Sequence, residues 1–403
     1  MLARCPPRLA ILAMLLAGCG SPDGRAHSRV RDSSGIRIVE VAAGATERTL
    51  WTVREDLSVE APTGQEPYAF GQIVDVDEGP GEVILVLDAT NTRLLEFSRD
   101  GRFERAVGRA GRGPGELTRF VTDLLPTEHG VLVPDPGAAR ITRFGHDTVV
   151  TGVPASPAPK SWALVAHDIL RYRALGVSRR PDGAFAFWDG LLQIDLASGT
   201  IDTLLELDYP KTDLGGPGNI KIPLLVNAAF WAPLRDGRVA WSSLDRDQVS
   251  VHDASGALRM LIHRADWRAH PASDADRATL RRLLAEKLRI LGGDVGAANA
   301  PNVVFPDRLP AITGLLAGPD GTLWVQRMGE VGDIDPMAVN APDRTSWLGG
   351  AIWDVFSSDG HYLGLVTLPR GVRVTAIREP RLFGIGRDGS GADRVVRLVL
   401  DRS

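Results

Sequence analysis

Cysteine is nearly missing from this chain: two in 403 residues, Cys5 and Cys19. Both lie at the extreme N-terminus, so no disulfide framework, no cysteine-rich zinc cluster and no thiol catalysis belongs to the folded body. Lysine is scarce too, with Lys160, Lys211, Lys221 and Lys287 the four in the chain. Arginine therefore supplies nearly all the positive charge, and the formal net charge is −4. A mildly acidic chain without a long basic block is unsuited to nucleic acid, where phosphate neutralisation dominates affinity. No GxSxG elbow, HExxH helix or EF-hand loop occurs, and no two of the eight histidines stand four apart.

What is present begins with "MLARCPPRLAILAMLLAGC". Arg4 and Arg8 precede a short apolar core at residues 9–16, and "LAGC" sets small residues before Cys19. The apolar run is too short for a permanent membrane span and has the layout of an export signal. It resembles a bacterial lipoprotein signal with its lipobox; an ordinary signal peptide with a chance cysteine is the alternative. The resemblance implies a signal peptide over 1–18, cleavage before Cys19 and acylation of its thiol. Gly20 then follows the lipidated residue, which by resemblance to sorting rules points to the outer membrane. Removal of the segment, which carries two arginines and no acid, leaves 44 basic against 50 acidic residues. The small, polar residues 19–35 are expected to be a flexible tether, and 36–403 a single folded domain.

Turn signals punctuate that body. Gly81, Gly130, Gly183, Gly237 and Gly321 sit in short polar turns at spacings of 49, 53, 54 and 84. Each opens a set of short β-rich runs, such as "EVILVLD", "RLLEFS" and "RFERAVG" after Gly81, or "TLWVQRMG", "GAIWDVF" and "YLGLVTLP" after Gly321. After Gly183 the runs read "AFAFWDG", "LLQIDL" and "DTLLELD". A sixth turn falls at Pro380–Arg381. Short strands broken by Gly/Asp turns at a period near fifty predict an all-β, six-bladed β-propeller of four-stranded blades. The sixth unit lacks its outer strand, so an N-terminal strand, "IRIVEV" (36–41) or "DLSVEA" (56–61), is expected to close the ring. The wide gap before Gly321 holds an insertion at about 266–305 with an α-helix around 273–291. Its leucines 280, 283, 284, 288 and 291 form one stripe, Ser273 and Asp276 start it, and Arg277, Arg281, Arg282 and Lys287 line the other face.

The first unit resembles the NHL-type repeat at Asp88, Asn91, Arg93, Leu94, Leu95, Phe97 and Gly101, and the second repeats it faintly at Asp135, Arg140, Ile141 and Phe144. The whole chain is similar to secreted six-bladed propeller lipoproteins of bacteria, within the TolB-like propellers. Those share the "GR-x-G-x-GPGE" exit from the first blade, present here as Gly108, Gly111, Gly113, Gly115 and Glu116. A Walker-type phosphate loop would need Lys and Ser/Thr before a helix, whereas Pro114 and Gly115 stand here. The run is read as a turn between blades.

Candidate chemistry is sparse. Glu78, in "DEGPGE", matches the glutamate of the Glu-Gly-Pro of gluconolactonase-type propellers, which that resemblance makes a metal ligand. Calcium would then be the cofactor, polarising a carbonyl. Acidic clusters at 244–247 and 332–336 read as solvated turns. His263 and His270, the densest histidine grouping, read as a strand end leading into the insertion. Trp162, Trp267 and Trp347 fall in expected loops, where an indole can stack on a sugar, and Arg109 and Arg112 project from the exit loop. Loops 211–219 and 329–346 could form one face with the inserted helix. The reading is a lipid-anchored, monomeric, extracytoplasmic scaffold that binds a protein or carbohydrate. A metal-dependent, lactonase-like hydrolase at the central channel is the alternative.

Overall fold

The computed structural model describes residues 28–43, 48–60, 67–153, 158–179, 185–207, 222–223, 229–243, 246–283, 285, 303–304, 307–331 and 349–402. Blade one is Ile73–Glu78, Ile84–Asp88, Arg93–Phe97 and Phe103–Val107. Blade two is Leu125–Thr127, Gly130–Asp135, Arg140–Gly145 and Val149–Gly152. Ala158–Ala166, Ile169–Arg179, Phe185–Asp195 and Ile201–Leu207 make blade three. Ala229–Pro233, Val239–Ser243, Gln248–His252 and Leu258–Arg264 make blade four. Blade five is Ile312–Ala317, Leu323–Met328, Gly349–Phe356 and Tyr362–Thr367. Arg373–Arg378, Arg381–Arg387 and Asp393–Asp401 begin blade six.

The missing strand comes from the N-terminal region. Thr49–Val59 pairs antiparallel with Asp393–Asp401, from Thr52 opposite Asp401 to Val59 opposite Val395. The same strand touches blade five through Thr49 and Trp51, beside Leu365 and Val366. Of the two candidates, the segment containing residues 56–59 closes the ring. Ile36–Val41 instead pairs in parallel with the outer strand of blade four, and Ser28–Ser33 folds back on it. The flexible tether expected over 19–35 therefore gives way to a strand at Ser28. Val30, Val39 and Val41 pack into the core between blades four and five, which holds this hairpin in place.

Six apolar clusters lie between consecutive blades, and the last joins blade six to blade one through Val395 and Phe383 against Val76 and Ile84. Strands buried on both faces explain the near-continuous apolar runs in the sequence, and a closed ring of such cores leaves no raw end. The turns between first and second strands fall where the periodicity places them in blades one, two, four, five and six. Gly237 and Gly321 adopt φ of 82° and 83°, a region that favours glycine.

Blade three departs from the expected pattern. "AFAFWDG" and "LLQIDL" read as separate strands, yet Phe185–Asp195 runs straight through both, with Asp189 opposite Leu175 and Gly190 opposite Ala174. Asp189 stays in the strand because Arg173 neutralises it, with Nε at 2.9 and 3.0 Å from the two carboxylate oxygens, both residues being buried. The first turn of that blade is at residues 167–168, and Gly183 lies outside the described residues.

Antiparallel order sorts the connections onto two faces. In blades one to five the first-to-second and third-to-fourth turns lie at one end, none longer than five residues, and the first-to-second turn of blade six lies there too. The strand ends that lead into second-to-third connections and blade crossings lie at the other end, where the 108–124 crossing and the described parts of 265–311 are found. These ends are the short-turn face and the long-loop face. The helix is described over 274–283, with Leu280 and Leu283 packed on Leu309, Met328 and Val331 at the long-loop end of blade five. Ser273 caps it: its hydroxyl accepts from the Asp276 N–H at 3.1 Å, and the Asp276 carboxylate accepts from the Ser273 N–H at 2.9 Å. Leu284, Lys287, Leu288 and Leu291 lie outside the described residues. Among the described residues, no helix is long and apolar enough to cross a membrane.

Candidate functional site

The long-loop face over blades one and two is built on the repeat residues. Asp88, fully buried at the end of its strand, accepts hydrogen bonds from the backbone N–H groups of Gly71 (3.1 Å), Gln72 (3.2 Å) and Asn91 (3.2 Å). The Asn91 side chain adds a bond at 2.8 Å, and Arg93 lies 3.4 Å away while its other arm donates to the Ala69 carbonyl at 2.7 Å. The Asp–Asn–Arg pattern thus fastens the incoming chain to the blade. Asp135 does the same in blade two, binding the Thr118 N–H at 2.9 Å and the Thr118 hydroxyl, with Arg140 at 4.0 Å.

The glycine run is a closed loop that carries its own anion. Leu117 N–H donates to the Arg109 carbonyl at 2.7 Å and Gly111 N–H to the Leu117 carbonyl at 3.1 Å. The Glu116 carboxylate folds inward, accepting from Gly113 N–H at 2.6 Å and from Arg109 Nε at 3.0 Å. Arg140 clamps the outside, donating to the carbonyls of Arg112 (2.5 Å) and Glu116 (2.6 Å). Gly111 sits at φ 149°, a region that favours glycine, and a Cβ there would displace the Glu116 carboxylate, whose Oε2 lies 2.0 Å from that position. Gly108 and Gly115 also take positive φ, of 79° and 74°. The Gly113 N–H and the Arg109 guanidinium hold the Glu116 carboxyl below the ordinary glutamate range. The loop's anion position is thus filled by its own carboxylate, and the run carries the chain from blade one to blade two.

What this platform displays is cationic and aromatic. Arg109 is 78% exposed in its side chain, and Arg112 is exposed. Phe120, which the sequence reading missed, is 56% exposed, with the Arg119 guanidinium 5.3 Å from its ring centre. The Thr118 hydroxyl accepts from the Phe120 N–H at 3.2 Å, so a bonded backbone carries the ring. The available signal was an aromatic residue in "LTRF" directly after the glycine exit, where no strand period calls for burial.

The tryptophan candidates resolve differently. Trp162 lies in a strand, fully buried and stacked on Tyr172 at 4.3 Å. Trp267 is 2% exposed and bonded to Asp354. Both pack the interior and are removed from the ligand-contact set, because β-rich packing and a buried carboxylate claim their rings. Trp347, loop 211–219 and the acidic cluster at 332–336 lie outside the described residues, as does loop 329–346 except at 329–331. In the other acidic cluster, Asp247 binds the Ala269 N–H at 2.9 Å, a further staple of a blade crossing. His263 and His270 are both exposed, one ending a strand and the other in the insertion.

Glu78 stands at the short-turn end of blade one, where Arg381 meets it at 2.9 Å and also binds Glu82 at 2.9 Å. Its inner-strand neighbour Asp77 is paired with Arg378 at 2.7 and 2.8 Å. These pairs span the seam between blades one and six. Among the described residues, no group of three or more His, Cys, Asp or Glu side chains has the arrangement to hold a metal ion. The fold also brings His129 and His167 together on the short-turn face, ring centres 6.4 Å apart, with His167 Nδ1 at 2.8 Å from Asp168.

A family model described as a 6-bladed beta-propeller matches residues 65–123, which are blade one and its exit loop. No curated protein matches the chain. Among solved structures, a member of the duf4221 family from Bacteroides vulgatus is similar with TM-score 0.51 at 9% identity, over 88% of this chain and 98% of that one. A gluconolactonase from Xanthomonas campestris gives TM-score 0.44 at 16% identity, over 86% and 99% of the two chains. Virginiamycin B lyase from Staphylococcus aureus gives TM-score 0.44 at 10% identity, over 87% and 100%. At these identities the likeness is one of fold.

Proposed function

We propose that this protein is a lipid-anchored, extracytoplasmic, NHL-like propeller that binds a protein or carbohydrate ligand on its long-loop face and performs no chemistry of its own. The observation that carries the reading is the asymmetry of the two faces. Among the described residues, the turns within blades at one end of the ring are five residues or fewer, while the other end carries the 108–124 connection, the helix at 274–283, and the platform of Arg109, Arg112, Arg119 and Phe120. Binding residues concentrate on loops positioned by a rigid scaffold. Charged residues committed to seams between blades, as Glu78 and Asp77 are to Arg381 and Arg378, serve closure of the ring.

The test presents the full-length protein to a glycan array and to an envelope extract, with two variants beside it. Phe120→Ala with Arg112→Glu alters the platform, and Ser198→Glu alters the short-turn face. Loss of capture by at least tenfold in the first variant alone supports the reading. Equal loss in both, or in the second alone, overturns it. Calcium-dependent hydrolysis of a lactone would favour the hydrolase instead.

A further inference from the structure

We infer that the long-loop face is the membrane-proximal face of the anchored protein. This rests on the acylation of Cys19 proposed above. The geometry comes from strand register. Ser28 pairs with Val41, Val41 pairs in parallel with Arg264, and the Ala265 N–H donates to the Val41 carbonyl at 3.0 Å. Strands in a sheet lie about 4.8 Å apart, so Ser28 stands roughly 10 Å from Arg264. There the outer strand of blade four ends and the long 265–311 connection begins. Ile36–Val41 runs parallel to that strand and Ser28–Ser33 returns, which puts Ser28 at the long-loop end.

Chain length supplies the second half of the argument. From Cys19 to Ser28 there are nine residue steps, and an extended chain spans at most about 3.3–3.6 Å per residue, or roughly 30 Å in all. Laying the short-turn face on the bilayer would first require the tether to run down the side of blade four. Its seven-residue outer strand is about 20 Å long, which leaves roughly 10 Å for everything else. The long-loop end of blade four needs none of that length. Exposed Arg268, Arg281, Arg282 and Arg308 on the same connection are interspersed with exposed Asp266, Asp274 and Asp307. The anchor point, rather than a one-signed charge patch, therefore sets the orientation.

The experiment uses the full-length lipidated protein in vesicles of phosphatidylethanolamine and phosphatidylglycerol containing a nitroxide-headgroup lipid. With Cys19 acylated, a single introduced thiol accepts the fluorophore: Arg282→Cys on the long-loop side, or Ser255→Cys in the short turn of the same blade. Quenching at least threefold stronger at position 282 than at 255 is expected. Flotation with the vesicles but equal quenching, or stronger quenching at 255, overturns the inference and leaves the anchor intact. Failure to float, with a Cys19→Ser control behaving like the parent, removes the anchor and the inference together.

Discussion

The Trp267 indole N–H donates a 2.8 Å hydrogen bond to Oδ2 of Asp354, tying the start of the 265–311 connection to the interior of blade five. The same carboxylate accepts from Arg264 (3.2 Å), from two arms of Arg327 (2.7 and 2.8 Å) and from the Tyr362 hydroxyl (3.1 Å). Burial and the adjacent carboxylate push the Tyr362 phenol up to about 12. Asp354 is fully buried, so its negative charge is what makes two adjacent guanidiniums tolerable there. Breaking a buried pair by removing one partner costs on the order of 3–5 kcal/mol. Asp354→Asn is accordingly expected to lose about that much, and Trp267→Phe only about 1.5–3 kcal/mol for one lost hydrogen bond to a charged group, since Arg327 Nε still serves Oδ2. Urea denaturation midpoints check the order; a larger loss in Trp267→Phe would place the connection's hold elsewhere.

Two N-terminal segments make opposite predictions about closure. Removing residues 28–41 uncovers the outer edge of blade four and deletes buried Val39 and Val41, each worth about 1.5–3 kcal/mol. The ring itself remains closed, because Thr49–Val59 still completes blade six. A proline at Val53, opposite Leu400, attacks the closing strand instead. The deletion is expected to elute in the same oligomeric state as the parent, with a lowered but cooperative transition. Val53→Pro is expected to broaden the transition and to associate through an opened edge. Size-exclusion chromatography and calorimetry distinguish them.

How much of this was legible in the sequence depends on which force acts locally. Turns are written in glycine backbone freedom, so Gly237 and Gly321 marked their hairpins. The helix start was written in Ser273 and Asp276. Blade three was not legible, because Asp189 in "WDG" carries a turn signature. Its charge is satisfied by Arg173, sixteen residues earlier, and only the fold shows that pairing. For the same reason Trp162 and Trp267 stood open to either packing or ligand contact: burial is a tertiary property. The choice between 36–41 and 56–61 as closing strand lay beyond pattern, since both alternate in the manner of a half-buried strand. Phe120 was visible as a residue but not as a surface.

Gly111 offers a separable test of the exit loop. At φ 149° a side chain is strained, and a Cβ would also meet the Glu116 carboxylate at 2.0 Å. Backbone strain of this kind costs on the order of 1–3 kcal/mol. Gly111→Ala is expected to destabilise by that amount or more. Adding Glu116→Ala relieves the collision and leaves the strain, so recovery is expected to be partial. Full recovery in the double variant, measured by denaturation, would show that the backbone adapts and that the glycine serves the carboxylate alone.

The Glu116 carboxylate gives the loop a pH dependence of definite sign. Its hydrogen bonds from Gly113 N–H and Arg109 hold it below the ordinary glutamate value of 4.5. A group whose folded pKa is depressed contributes stability that is fully present above the unfolded pKa and is lost as pH falls through the folded one. The loop is therefore expected to stay closed down to about pH 4.5 and to loosen only below it. The Gly113 amide reports this directly, since protonation removes the charge that its N–H bonds at 2.6 Å. Its nitrogen and proton shifts should titrate with a midpoint under 4.5, and Glu116→Gln should abolish the titration. A midpoint at or above 4.5 would mean that the carboxylate faces solvent rather than the loop. The glycine run would then be an open nest, free to take an anion from outside.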